Sequence, residues 1–337
     1  MNGTKQAKTS GMLLGKFMPP HIGHVYLANF AKNYVDELTI VVGSLKNEPL
    51  PGELRFQWMK TLFPDCNVVH LTDENPQYPE EHPDFWQIWH DSLMSVLPCK
   101  PDFVFCGEDY GAPLAQTLGA EFIPSNLGRS IIPTSATNIR ENPLENWHFI
   151  PEKIRPYFLK KICLMGPEST GKTTLSQKLA NAFETLAVPE YAYSLIKLNN
   201  GEIQYQDIEK FARGQIASQD ALAFHANKLL ICDTDLITTH IWSEILFDKT
   251  PPWIKEEIEE RPFDLYLLQD PETPWLDDVH RIQPNSQDRK DFFQKSIDIL
   301  EHYQRPYHII SGNWQERFTQ NKTAITKLLT ISTKKID

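Results

Sequence analysis

Cysteine is scarce and unpaired in pattern. There are five, Cys66, Cys99, Cys106, Cys163 and Cys232, an odd number without a C-x-x-C spacing. This argues against a disulfide-stapled secreted scaffold and for reduced thiols, three of which (Cys106, Cys163 and Cys232) sit in apolar runs. Positive charge is also short. With 33 Lys and Arg against 44 Asp and Glu, the net charge is −11, so neither DNA nor an anionic membrane is expected as a partner. No window approaches 18 consecutive apolar residues, and the first apolar run, Met12 to Leu14, is far too short for a signal peptide. A cytoplasmic location is therefore expected. Internal repeats and low-complexity tracts are lacking as well. What is present is an ordinary globular balance, 41% hydrophobic and 23% charged over 337 residues, enough for two domains at roughly 150 residues each.

Residues 1–10 read as a disordered tail. From residue 11 the pattern alternates: strand "GMLLGKF", helix "GHVYLANFAKNYV", strand "ELTIVVGS", helix "FQWMKTLFP", strand "NVVHL", helix "FWQIWHDSLMSVL", strand "DFVFCG". Such alternation predicts a parallel sheet. The proline-rich stretch of mixed charge around 143–160 reads as a linker. A second α/β series follows, with apolar runs at 161–165, 228–235, 264–270 and 306–312. The expected fold is α/β with two parallel-sheet domains, 11–150 and 151–337.

The strongest motif is "GPESTGKT", Gly166 to Thr173, between a strand and a helix. It fits the G-x-x-x-x-G-K-[ST] phosphate loop, whose backbone N–H groups cradle a nucleotide's phosphates. Gly166, Glu168, Ser169, Thr170, Gly171, Thr173 and Thr174 are its expected ATP-binding residues. Lys172 would reach the β- and γ-phosphates, and Thr173 would hold Mg²⁺. "LLICDTD" supplies a strand-end acid for the same ion, Asp233 first and Asp235 second. Glu190 of "VPEYAY" follows a short apolar segment and resembles the base of nucleoside kinases, with Asp233 the alternative. In "WLDDVHR", Arg281 is a candidate lid arginine, and Asp277 and Asp278 are candidates to bind ribose hydroxyls.

"GKFMPPHIGH" places His21 and His24 at a helix start, after a Gly15-Lys16-Phe17 turn. Two imidazoles there allow a metal site, core packing or a phosphate grip. A structural zinc needs about four ligands, and the nearest candidates, Cys66 and His70, have no paired spacing. The strand–turn–helix position favours phosphate, with Gly23 read as the residue that lets a ligand come close.

This stretch resembles the (His/Thr)-x-Gly-His signature of the nucleotidylyltransferase superfamily, and "PTSATNIREN" resembles its second signature. From about residue 11 onward the chain resembles the NadR family. In that family a Rossmann-like nicotinamide-nucleotide adenylyltransferase domain precedes a P-loop ribosylnicotinamide kinase domain. The resemblance implies that the first domain joins nicotinamide mononucleotide (NMN) and ATP into NAD, and that the second phosphorylates nicotinamide riboside. ATP and Mg²⁺ are the implied cofactors. By the same resemblance His21 and His24, helped by Lys16, would bind ATP phosphates beside Gly15, Phe17 and Gly23. Ser135, Thr137 and Arg140 would hold the triphosphate. Gly107, Asp109, Trp86 and Trp89 would face NMN, and Tyr191 would face the riboside. A helix-turn-helix found in some members is not expected here. An alternative keeps both folds and lets one domain serve only as a pyridine-nucleotide sensor. A homo-oligomer is compatible with either reading.

Overall fold

The computed structural model describes residues 8–125, 131–272 and 285–331. They form two compact units that divide between Ile154 and Arg155. Each is built on a parallel five-stranded sheet, the α/β class that the alternating pattern predicts.

The first unit has strands β1 (Ser10–Gly15), β2 (Glu37–Gly43), β3 (Asn67–Leu71), β4 (Phe103–Cys106) and β5 (Glu121–Pro124) in the order β3-β2-β1-β4-β5. Its helices are α1 (Ile22–Tyr34), α2 (Gly52–Leu62), α3 (Phe85–Val96), α4 (Gly111–Leu118) and α5 (Ala136–Glu141). Strand residues alternate between two cores. Leu13, Ile40, Val42 and Phe105 pack with Ala28 and Ala31 of α1 and Met59 of α2. Met12, Val41 and Val104 pack with Leu93 of α3 and Leu114 and Leu118 of α4. Both faces of the sheet are thus covered, and the strands read as nearly continuous apolar runs. The order reverses between β1 and β4, where open α/β sheets hold ligands at their carboxyl ends.

Three expectations need correction. The tail expected over 1–10 is ordered by residue 8: Ser10 opens β1 and donates its N–H and hydroxyl to Asp102, both at 2.8 Å, while Thr9 bonds Asp36. Helix α2 begins at Gly52, earlier than its apolar face at Phe56 suggests. The linker carries buried residues: Trp147 and Ile154 lie in short 3₁₀ turns and Ile150 caps the first of them.

The second unit has β6 (Lys160–Met165), β7 (Leu186–Val188), β8 (Leu229–Asp233), β9 (Leu265–Gln269) and β10 (Tyr307–Ile310) in the order β10-β9-β6-β8-β7. Its helices are α6 (Lys172–Ala182), α7 (Tyr191–Leu198), α8 (Tyr205–Ala223), α9 (Leu236–Phe247), α10 (Pro252–Glu260), α11 (Ser286–His302) and α12 (Trp314–Ile331). Central β6 runs into the Gly166–Thr173 loop. β8 lies beside it in register, with Asp233 opposite Leu164, so the phosphate loop and the strand-end acid emerge together.

Candidate functional sites

In the first unit, His21 is the N-cap of α1. Its Nδ1 accepts from the Gly23 N–H at 3.1 Å, and His24 Nδ1 accepts from the His21 N–H at 3.2 Å. The rings stack at 3.7 Å, and Phe17 meets His24 edge-on at 5.0 Å. Two imidazoles thus form a reciprocal capping box, a role usually taken by hydroxyl and carboxyl side chains. Because each Nδ1 accepts, the neutral rings carry their protons on Nε2. Gly23 has a nearer reason than ligand approach: a Cβ there would lie 2.9 Å from the His21 ring.

Arg140 joins the two signatures. It donates to the carbonyl of Met18 in the β1–α1 loop and to Thr137 Oγ1 at 3.2 Å. Ser135 caps α5 by accepting from the Asn138 N–H. Lys16 Nζ lies 2.9 Å from Glu48 Oε1. Glu48 in turn pairs with Arg55, which is fully buried and donates to the carbonyls of Lys16, Gly43 and Leu50. Burial pushes the Glu48 carboxyl up, but the Leu45 N–H, Lys16 and Arg55 outweigh it and hold the group below its ordinary value. Sequence reading missed Glu48 and Arg55. A charged pair beside Pro and Gly looks like solvated surface until the fold closes over it. Breaking such a buried pair typically costs about 3–5 kcal/mol.

Beside this network lies a cavity of about 540 Å³, lined by Gly15, Lys16, Ser44, Asp73, Tyr78, Trp86, Trp89, Asp109 and Tyr110 among others. Trp86 and Trp89 both line it, and Trp89 Nε1 is fixed by the Pro76 carbonyl at 2.9 Å. Asp109 also lines it. Gly107 is not on its wall: a Cβ there would meet the Ser125 carbonyl at 2.9 Å, so its bareness serves strand packing.

In the second unit, a cavity of about 1060 Å³ is lined by every expected loop residue, Gly166, Glu168, Ser169, Thr170, Gly171, Lys172, Thr173 and Thr174, together with Glu190 and Asp233. Gly166 has φ 140° and packs under Gln269, a backbone conformation that requires glycine. Lys172 Nζ donates to the Gly166 and Pro167 carbonyls at 2.9 and 3.0 Å. Thr173 Oγ1 donates to Asp233 Oδ2 at 2.5 Å, while the buried Asp233 Oδ1 has no hydrogen-bond partner among the described residues. A hydroxyl next to a buried carboxylate with an unused oxygen suits a hard cation such as Mg²⁺. Asp235, the second candidate, is already engaged: it caps α9 through the Thr238 N–H and accepts from Tyr266 at 2.7 Å.

Burial raises the Asp233 carboxyl against the pull of Lys172 and Thr173. Burial and then the Asp233 charge push Glu190 up to about 7, with Lys172 opposing. Tyr191 does not line the cavity. Its ring lies against Gly214 of α8 and its N–H donates to Gln215. Trp242 of α9 lines the cavity instead, as does Trp314, whose ring packs on Gly171. Arg317 was also missed. Almost fully buried, it donates to the carbonyls of Thr170, Asp270 and Gly312, at 3.2, 2.8 and 3.0 Å, and so ties the phosphate loop to the ends of β9 and β10. Arg281, Asp277 and Asp278 lie outside the described residues.

A phosphate-loop motif on one parallel sheet and a histidine-capped helix on the other define an α/β protein of two parallel-sheet units. Comparison with known proteins narrows this. A family model described as "AAA domain" matches residues 161–317. The "Trifunctional NAD biosynthesis/regulator protein NadR" of Escherichia coli (strain K12) is 33% identical over 319 residues, covering 88% of this chain and 77% of that protein. Its Salmonella typhimurium counterpart is 30% identical over 336 residues, covering 93% and 82%. The nicotinamide-nucleotide adenylyltransferase of Thermococcus onnurineus is 31% identical over 160 residues, 45% of this chain and 82% of its own length. A crystal structure of NadR protein in complex with NAD and AMP-PNP shares the fold, with a TM-score of 0.80 at 24% identity over 98% of both chains. The chain belongs to the NadR family.

Proposed function

We propose that the chain is a bifunctional transferase of NAD biosynthesis. The second unit would phosphorylate nicotinamide riboside with ATP, and the first would adenylylate the resulting NMN to NAD with release of pyrophosphate. The observation that carries the reading is the Lys172–Thr173–Asp233–Glu190 cluster in one cavity, separate from the histidine-capped helix of the first unit.

In the second unit the loop and Lys172 would hold the ATP phosphates. Thr173 and Asp233 would hold Mg²⁺, which when bound would neutralise phosphate charge. Glu190, pushed up to about 7 by burial and Asp233, is poised to take the proton of the riboside 5′-hydroxyl. Trp242, on the wall near Glu190, offers a flat face to the cationic pyridine ring.

In the first unit the attacker is the NMN phosphate, already ionised, so no general base is required. Positioning and charge stabilisation at the α-phosphate suffice. His21 and His24 would donate Nε2–H to phosphate oxygens at the start of α1, whose N-terminal amides add partial positive charge. Lys16, Ser135, Thr137 and Arg140 would hold the rest of the triphosphate, and Trp86 or Trp89 the pyridine ring. The test supplies the protein with ATP, Mg²⁺ and either riboside or NMN and follows products by chromatography. NMN and NAD from the riboside, and NAD from NMN, are expected. Absence of either product contradicts the reading.

A further inference from the structure

The first unit's cavity carries a side-chain chain that neither phosphate site uses. Ser44, which follows β2 and lines the cavity, lies 2.8 Å through Oγ from His70 Nε2. His70 Nδ1 lies 3.5 Å from Glu53 Oε2 on α2. The Phe56 ring stacks on His70 at 5.1 Å and 14°. Gly52 completes the setting: a Cβ there would fall 2.4 Å from Ser44 Oγ and 3.1 Å from His70 Nε2. The bare first residue of α2 is therefore what lets the pair form.

The chain has a direction. A carboxylate beside Nδ1 favours the proton there and leaves Nε2 as an acceptor. In the tautomer with the proton on Nδ1, Ser44 donates its hydrogen to His70 Nε2, and the oxygen presents only lone pairs to the cavity. Ser44 N–H is itself spent on the Leu71 carbonyl at 2.9 Å, and Leu71 shares a core cluster with Trp86 and Trp89. Ser44, Trp86 and Trp89 line the same cavity. The charged lining residues among those described are Lys16, Asp73 and Asp109, and Lys16 is paired with Glu48. A wall of this polarity accepts an N–H donor and repels a carboxylate.

We propose that Ser44, oriented by His70, is the specificity-determining residue that selects the carboxamide of the pyridine mononucleotide over the corresponding acid. This rests on the adenylyltransferase reading above. It adds a residue for a discrimination in which the two substrates differ only by –CONH₂ against –COO⁻. Selection here works by attraction of one group and repulsion of the other.

The experiment measures kcat/KM for adenylylation of NMN and of nicotinic acid mononucleotide by the full chain and by Ser44→Ala and His70→Phe. The amide-to-acid ratio should fall about tenfold in Ser44→Ala, the scale of one lost hydrogen bond. It should also fall in His70→Phe, where the hydroxyl becomes able to turn and donate to a carboxylate. A global loss of folding would lower both rates without this change of ratio. A ratio unchanged in both variants, with NMN turnover still measurable, overturns the proposal. A wild-type protein that adenylylates neither substrate overturns the underlying reading, and the proposal with it.

Discussion

Under the proposed function the two units solve one problem, holding a nucleotide's phosphates at the end of a parallel strand, with different materials. In the second, the backbone does it: a loop shaped by Gly166 and Gly171 at positive φ leads directly into α6. In the first, side chains do it: two imidazoles cap α1, and Arg140 and Arg55 tie the loop in front of them to distant segments. A backbone cradle needs its residues in one contiguous run, whereas a side-chain grip can gather them from across the fold. The first kind of site therefore carries most of its chemistry in eight letters, and the second scatters it from Lys16 to Arg140.

The sharpest way to break this comparison is to disable one unit at a time. Lys172→Ala should lower riboside phosphorylation by roughly 10³-fold and leave NMN adenylylation intact, because a preorganised charge at the transferred group is worth that much. His24→Ala should do the reverse, by roughly 10²-fold, and should also loosen α1, since losing a cap typically costs about 1 kcal/mol. Coupled phosphorylation assays and thermal melts read both. An adenylylation loss in Lys172→Ala would mean that the units are not independent.

A smaller effect tests the proposed chemical contrast, base-assisted in one unit and base-free in the other. Glu190→Gln should reduce kinase kcat by roughly 10²-fold. Since the carboxylate must be ionised to accept a proton, wild-type kinase kcat/KM should rise with pH up to about 7 and then level, and the variant should flatten that rise. Adenylylation should show no such limb from a catalytic carboxyl.

The smallest effect concerns stability. The folded Glu190 carboxyl titrates near 7, above its unfolded value, so its protonated form favours folding and that contribution is lost as pH rises through about 7. Glu190→Gln should therefore gain more in melting temperature over wild type at pH 8 than at pH 5, with the difference closing below about pH 4. A lower melting point at pH 8 would show that the carboxylate is not strained there.

How much was legible follows the same contrast. Strand order is not written in a sequence, but alternating apolar runs and helices were enough to read two parallel sheets. The phosphate loop was readable residue by residue because its contacts are local, and all eight expected residues line one cavity. Glu48, Arg55 and Arg317 were not, because a buried arginine looks like a surface one until distant carbonyls converge on it. Tyr191 was misplaced for a related reason: its neighbour Gly214 lies 23 residues on, within α8, and only the folded chain shows that the ring is already packed. Gly23 was noticed for ligand approach, and the folded chain adds a second reason, since a Cβ there would crowd the His21 ring.

Two complete and independent sites acting in sequence should be able to work from separate chains. That is tested most directly by complementation. Lys172→Ala and His24→Ala proteins, each unable to convert nicotinamide riboside to NAD alone, are mixed in equal amounts with riboside, ATP and Mg²⁺. NAD should form, with NMN appearing first and then being consumed. Accumulation of NMN without NAD, or no conversion by the mixture, would contradict this.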